Sequence, residues 1–207
     1  MNLQLEAMAL AMPEVARHPN RLPFRGVLTL VGVASQRAPH GAKGHRVMLT
    51  RTAADAALPS LLGMALDYAP SLDSHDVRRK IGIITEATIV PMHPTLSPGA
   101  PPLSPAVGNR VGPGQLAVSG YLFAKDFPDV VEEIRAQSAA GGPSTLGMSY
   151  ELTRVEVPNR SASIWTATAF TFTGAAVLWR DKAAYPQTWI ALENGGGGGA
   201  DKAGGYG

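Results

Sequence analysis

Between residues 24 and 178 the chain repeatedly builds a short run of apolar and β-branched residues and then cuts it off with glycine or proline. The runs over 24–33, 80–90, 115–123, 146–157 and 164–178 carry strand-type composition or alternate in the manner of a half-buried strand. The 23 glycines and 17 prolines supply the interruptions. With only two or three helical segments between the runs, the pattern predicts an α+β, mainly β fold. It would be an antiparallel β-barrel or curled sheet of about six or seven strands, paired mostly as sequence neighbours, with flanking helices outside.

The helical segments have their own signals. Residues 50–62 are alanine-rich, with Thr50 or Thr52 as the cap and Pro59 placed to kink or divide the helix. Asp126 opens a second, in which Phe127, Val130, Val131 and Ile134 fall on one helical face. Residues 183–192 read as a closing helix.

At 207 residues the chain has about one domain's length. Residues 1–20 read as an N-terminal arm and 21–193 as one β-barrel domain. That domain is expected to contain a mobile loop over 91–113, where seven of the 17 prolines lie. Residues 194–207 read as a Gly-rich flexible tail.

Eighteen Lys and Arg against sixteen Asp and Glu leave a net charge of +2, with no basic run, so nucleic acid is not the indicated partner. Cysteine is absent, which removes disulfides, thiolate nucleophiles and Cys-based metal sites. Any nucleophile must therefore be an oxygen or a lysine. No apolar run is long enough to span a membrane. The first twelve residues carry Glu6 and no leading basic residue, so the reading is a cytoplasmic protein without a secretory signal.

Phosphate-binding loops, dinucleotide fingerprints, His-Glu-x-x-His and EF-hand loops are all missing. Gly147-Met148-Ser149-Tyr150-Glu151 lacks the second glycine of a nucleophile elbow and lies in a strand-like run. Of the histidines, His18, His40, His45 and His93 stand in Pro- or Gly-rich loops, where a solvated ring is the ordinary outcome. His75 stands between Asp73 and Asp76 just before a buried-looking strand. An extended chain there would place Asp73 on its face.

Serine is inert until a base removes its proton, and His75 is the candidate base for Ser149. Glu151 shares the strand face of Ser149 and would orient a base or line a polar wall. Arg78, Arg79 and Arg180 are candidate oxyanion donors.

Taken in order, several short motifs resemble the tailed-phage prohead (capsid maturation) serine proteases of HK97 type over roughly residues 24–190. They are His75-Asp76, Ile81-Gly82, Val118-Ser119-Gly120-Tyr121-Leu122 with the helix that follows, and Leu146-Gly147-Met148-Ser149. The resemblance implies a herpesvirus-protease-like (assemblin-like) barrel. It implies Ser149 as nucleophile and His75 as base, with no metal or cofactor.

It also implies work in the host cytoplasm inside the immature capsid, as a homo-oligomer that cuts itself, the major capsid protein and the scaffold. Neither nucleic acid nor a membrane enters that reading. Relatives often place an acid on the strand after the serine strand, and residues 170–178 hold none. Asp73, Glu151, Thr171 and Thr173 are the open choices for the third member. A non-enzymatic capsid assembly or scaffold module that has lost the full triad is the alternative. A ligand-binding barrel is a third, for which the sequence offers no distinctive polar cluster.

Overall fold

Thr50 closes the end of one strand and opens a helix, because its hydroxyl accepts from the Ala53 N–H and satisfies one of the free donors of the first turn. Such local devices fix the elements of a computed structural model that describes residues 20–92, 112–139 and 145–192. Nearly all of the predicted arm, the predicted tail, most of the Pro-rich loop, His18 and His93 lie outside the described residues.

The elements are β1 (Arg21–Val31), β2 (Arg46–Leu49), α1 (Arg51–Ala57), a 3-10 turn (Leu58–Leu61), β3 (Ala65–Tyr68), β4 (Lys80–Pro91) and β5 (Gly114–Phe123). They continue with α2 (Pro128–Ala139), β6 (Leu146–Glu156), β7 (Ile164–Ala167), β8 (Ala169–Trp179) and β9 (Trp189–Leu192). The fold is mainly β, as the alternating runs predict. Pro59 divides the first helix rather than kinking it, since the α-helical ladder gives way there to a 3-10 turn. Asp126 does not cap the second helix. Its carboxylate accepts from Asn20 at 2.8 Å, and α2 begins at Pro128, a residue suited to the first helical position.

Seven strands form one sheet in the order β6-β8-β3-β4-β5-β1-β9, and β2 pairs with β7 in a second, two-stranded sheet. The large sheet curls into a half-barrel. Three expectations are corrected here. Pairing is not mostly between sequence neighbours, for β3 runs parallel to β8 and β2 parallel to β7. The region 164–178 is two strands in two sheets, and residues 183–192 end in β9 instead of a helix. Pro186 interrupts that segment, and the β-favouring Trp189 and Ile190 pair with Gly26 and Val27 of β1.

The core lies inside the curl, where Phe24, Leu28, Leu66, Ile81, Leu122 and Phe172 are buried. Each such side chain contributes about 1.5–3 kcal/mol by leaving water. β1 loses its alternation after Val27, where a bulge shifts the register against β5. Val27 and Leu30 then pack with Tyr185 in a second small cluster while Leu28 and Val31 stay in the first.

The two end strands approach each other across the mouth of the curl, and Thr188, just before β9, accepts the Met148 N–H of β6 at 3.1 Å. A side chain at Gly26 would collide with the Trp189 carbonyl of β9 at 2.5 Å and with Met148 Sδ of β6 at 2.7 Å, so glycine is what lets β1 lie this close to both.

Two tyrosine hydroxyls are sequestered in this core. Tyr185 donates to the backbone oxygen of Val33 or Val47, and the Tyr150 hydroxyl lies by the Thr29 and Tyr185 side chains. Burial pushes Tyr150 up to about 12 from an ordinary 10.0, and Tyr185 higher still. Because the neutral form is the one the fold retains, stability from these groups is full below the unfolded value and is lost as pH rises through the folded one. Unfolding free energy is thus expected to hold up to about pH 10 and to fall toward pH 12. Phenolate absorbance recorded alongside circular dichroism checks this. Titration of every tyrosine near 10 in the folded protein would contradict it.

Candidate functional site

Ala176 of β8 is the pivot of the site. Ser149 of β6 lies opposite it on one side, and Asp67 of β3 lies opposite it on the other. Residues opposite one another in adjacent strands share a face, so Ser149 and Asp67 project from the same row. They stand two strand spacings apart, roughly 9–10 Å. The methyl group of Ala176 leaves room above that row, and the His75 ring fills the gap.

His75 comes from the 69–79 loop between β3 and β4, which is fastened to the sheet at Leu72. That residue is buried, its carbonyl accepts from the Trp179 N–H at 2.7 Å, and its φ of 53° is left-handed. A leucine held there costs on the order of 1–2 kcal/mol. The loop tolerates this because core packing and the bond to β8 both demand the conformation.

The Ser149 hydroxyl is 3.2 Å from His75 Nε2. With the ring proton on Nδ1, Nε2 accepts from the hydroxyl and is placed to remove its proton. Nδ1 faces two carboxylates, Glu151 Oε1 at 3.7 Å and Asp67 Oδ2 at 3.8 Å.

Burial separates their roles. The Glu151 side chain is 43% exposed, whereas that of Asp67 is 1% exposed. Asp67 Oδ1 accepts from Lys80 Nζ, while Oδ2 and His75 Nδ1 are both buried without a hydrogen-bond partner. An unsatisfied buried acceptor and an unsatisfied buried donor facing each other leave the imidazole proton as the one group within reach that satisfies both. A small closing movement would complete the bond, as is common for catalytic contacts in unliganded sites. Of the two carboxylates, Asp67 is thus the buried one with an acceptor left over for the ring.

This residue was missed from sequence. β3 has four residues, too few to show a period, and its isolated Asp67 gives no signal of the β8 neighbour that sets its direction. The open choices for the third member fare differently. Asp73 makes no ion pair with the ring, unlike Asp67 and Glu151. The Asp73 carboxylate is held by the Ser71 and Ser74 hydroxyls, which keep it below the usual carboxylate range. Thr173 is the unpaired residue of a bulge in β8, and neither it nor Thr171 is bonded to His75. Glu151 does share the face of Ser149, as strand alternation predicted.

Of the candidate arginines, Arg79 is engaged elsewhere: it pairs with Asp129 of α2 at 2.7 Å and lies over the Tyr68 and Phe127 rings, which makes it a packing residue. The Arg78 N–H binds Asp76 Oδ1 and the Arg180 N–H binds the Thr145 carbonyl, backbone bonds that fix the chain and assign no role to either side chain. Asp76 therefore holds the turn and does not touch His75.

Ser149, His75 and Glu151 open onto a cleft of about 1220 Å³. Its opposite wall is the 37–45 loop, backed by a stacked pair, His45 and Trp165, with ring centroids 4.6 Å apart. No known protein-family model matches the chain, and no match was found among curated proteins or solved structures. Among the described residues no helix is long and apolar enough to cross a membrane, and no three or more His, Cys, Asp or Glu side chains cluster to hold a metal ion.

Proposed function

We propose that the protein is a serine endopeptidase of the prohead maturation kind, with a herpesvirus-protease-like barrel, cutting itself and capsid or scaffold segments within an oligomeric shell. The observation that carries the reading is the row formed by Ser149, His75 and Asp67, of which Ser149 and His75 line an open cleft and Asp67 lies buried behind the ring. Ser149 Oγ attacks the scissile carbonyl while His75 Nε2 takes its proton. His75 then returns that proton to the leaving amine, and water cleaves the acyl-enzyme by the same route in reverse. Asp67 holds the ring in the required tautomer and favours the imidazolium that forms.

A further feature supports a peptide substrate. β6 is an end strand of the sheet, and the cleft runs from Ser149 along Glu151, Leu152 and Val155 of the same strand, which gives an extended segment a surface to lie on. A carboxylate from β3 stands beside the ring where the sequence offered none, which supports this reading over an assembly module without a full triad.

The test is covalent labelling of the purified chain with a fluorophosphonate, beside intact-mass spectra taken over time, for wild type, Ser149→Ala and His75→Ala. Wild type is expected to gain one adduct and to yield defined fragments, and both variants to remain unlabelled and whole. Absence of an adduct on wild type, or fragments shared by all three proteins, would overturn the endopeptidase reading.

A further inference from the structure

We propose that the cleft selects an acidic peptide segment, with Lys43 and Arg160 reading its carboxylates; this rests on the endopeptidase reading above. At about 1220 Å³ the cleft exceeds the usual span of a small-molecule pocket, roughly 300–1,000 Å³, and has room for several residues of an extended chain. Its charged lining is Arg37, Lys43, Arg160 and Lys182 against Asp73 and Glu151. Both acids are engaged at the Ser149 end, Glu151 beside the His75 ring and Asp73 by two serine hydroxyls. Arg37 donates to the Asp181 carbonyl, and Lys182 lies 3.8 Å from the Asp181 carboxylate.

Lys43 and Arg160 are left over. Among the described residues neither has a carboxylate within ion-pair distance. The His45–Trp165 stack brings their segments together. Trp165 Nε1 donates to the Arg160 carbonyl at 3.0 Å, His45 Nδ1 donates to the Ala162 carbonyl at 3.0 Å, and Lys43 lies two residues before His45.

Lys43 also adopts a left-handed φ of 50° between Gly41 and Gly44, which do the same at 84° and 86°. Glycine meets no penalty in that conformation and lysine does, so its side chain is held there against local preference. Uncompensated cations along a concave wall focus a positive potential on whatever enters. The cleft also leads to a nucleophile that is placed for a carbonyl, which favours a peptide over a nucleic acid as the anion.

The Ser149→Ala protein would be titrated by fluorescence anisotropy with two fluorescein-labelled extended peptides, identical except that the glutamates of one are glutamines in the other. The glutamate peptide is expected to bind about tenfold tighter at low ionic strength, with the advantage shrinking as salt rises. Adding Lys43→Glu and Arg160→Glu should erase or invert the preference. Lys43→Gly should weaken it without lowering thermal stability, since glycine suits that φ.

Equal affinity for the two peptides, or a preference unchanged by the charge reversals, would overturn the assignment. So would tighter binding of a single-stranded oligonucleotide of the same charge, which would make the wall a nucleic-acid surface. Fluorophosphonate labelling of wild type separates the two failures. An unlabelled protein that still discriminates the peptides retains the acidic-segment cleft and loses the peptidase, whereas a labelled protein that does not discriminate loses only the selection.

Discussion

Replacing Asp67 by asparagine is expected to slow acylation of Ser149 by about a thousandfold or more, while Glu151→Gln costs less than about tenfold. The asparagine amide turns toward His75 and presents a donor where an acceptor is needed. That favours the tautomer with its proton on Nε2, which leaves no lone pair for the serine hydroxyl. Glu151 is as near to Nδ1 as Asp67 is, but water screens an exposed carboxylate and supplies other partners to it. Fluorophosphonate kinetics for the two variants decide between them, with thermal melts showing that both remain folded. A larger loss for Glu151→Gln would transfer the positioning role to the β6 residue.

The second large effect is on stability. Lys80→Met removes the cation bound to Asp67 Oδ1 and strands a carboxylate whose side chain is 1% exposed. Removing one partner of a fully buried pair typically costs about 3–5 kcal/mol. Lys80 is 42% exposed, so about 2–3 kcal/mol is the expected loss by urea unfolding.

The double variant Asp67→Leu/Lys80→Met should recover most of that loss, because no uncompensated charge remains, yet it should be inactive. If Lys80→Met alone were neutral, the pair would not be holding the carboxylate in place. If the double variant kept its labelling rate, Asp67 would have no part in the site.

Much of the fold was legible because its causes are local. Strand runs at 80–90, 115–123 and 146–157 show themselves by composition and alternation, and β4 pairs with β5 as their adjacency across the Pro-rich segment implied. The helix near 50 follows from Thr50 and alanine, and that at 128 from the spacing of Val130, Val131 and Ile134. Residues 183–192 misled because alanine-rich, partly apolar text carries no sign of the β1 edge that draws Trp189 and Ile190 into a strand. The 164–178 run misled because nothing in its composition marks Thr168 as the point where the chain passes from one sheet to the other.

For the candidate site, sequence alone offered no thiol, Ser149 and His75 as candidate nucleophile and base, and Glu151 on the serine's own face. The first follows from composition and the last from a two-residue period, which need no partner strand, whereas Ser149 and His75 were linked by the order of short motifs. The carboxylate proposed to position the ring came from tertiary structure. Asp67 and Ser149 are 82 positions apart in the chain and meet only because β3 and β6 flank Ala176 of β8, one parallel and one antiparallel. A crossover of that kind is set by how the whole sheet curls and closes, and no local run of residues encodes it.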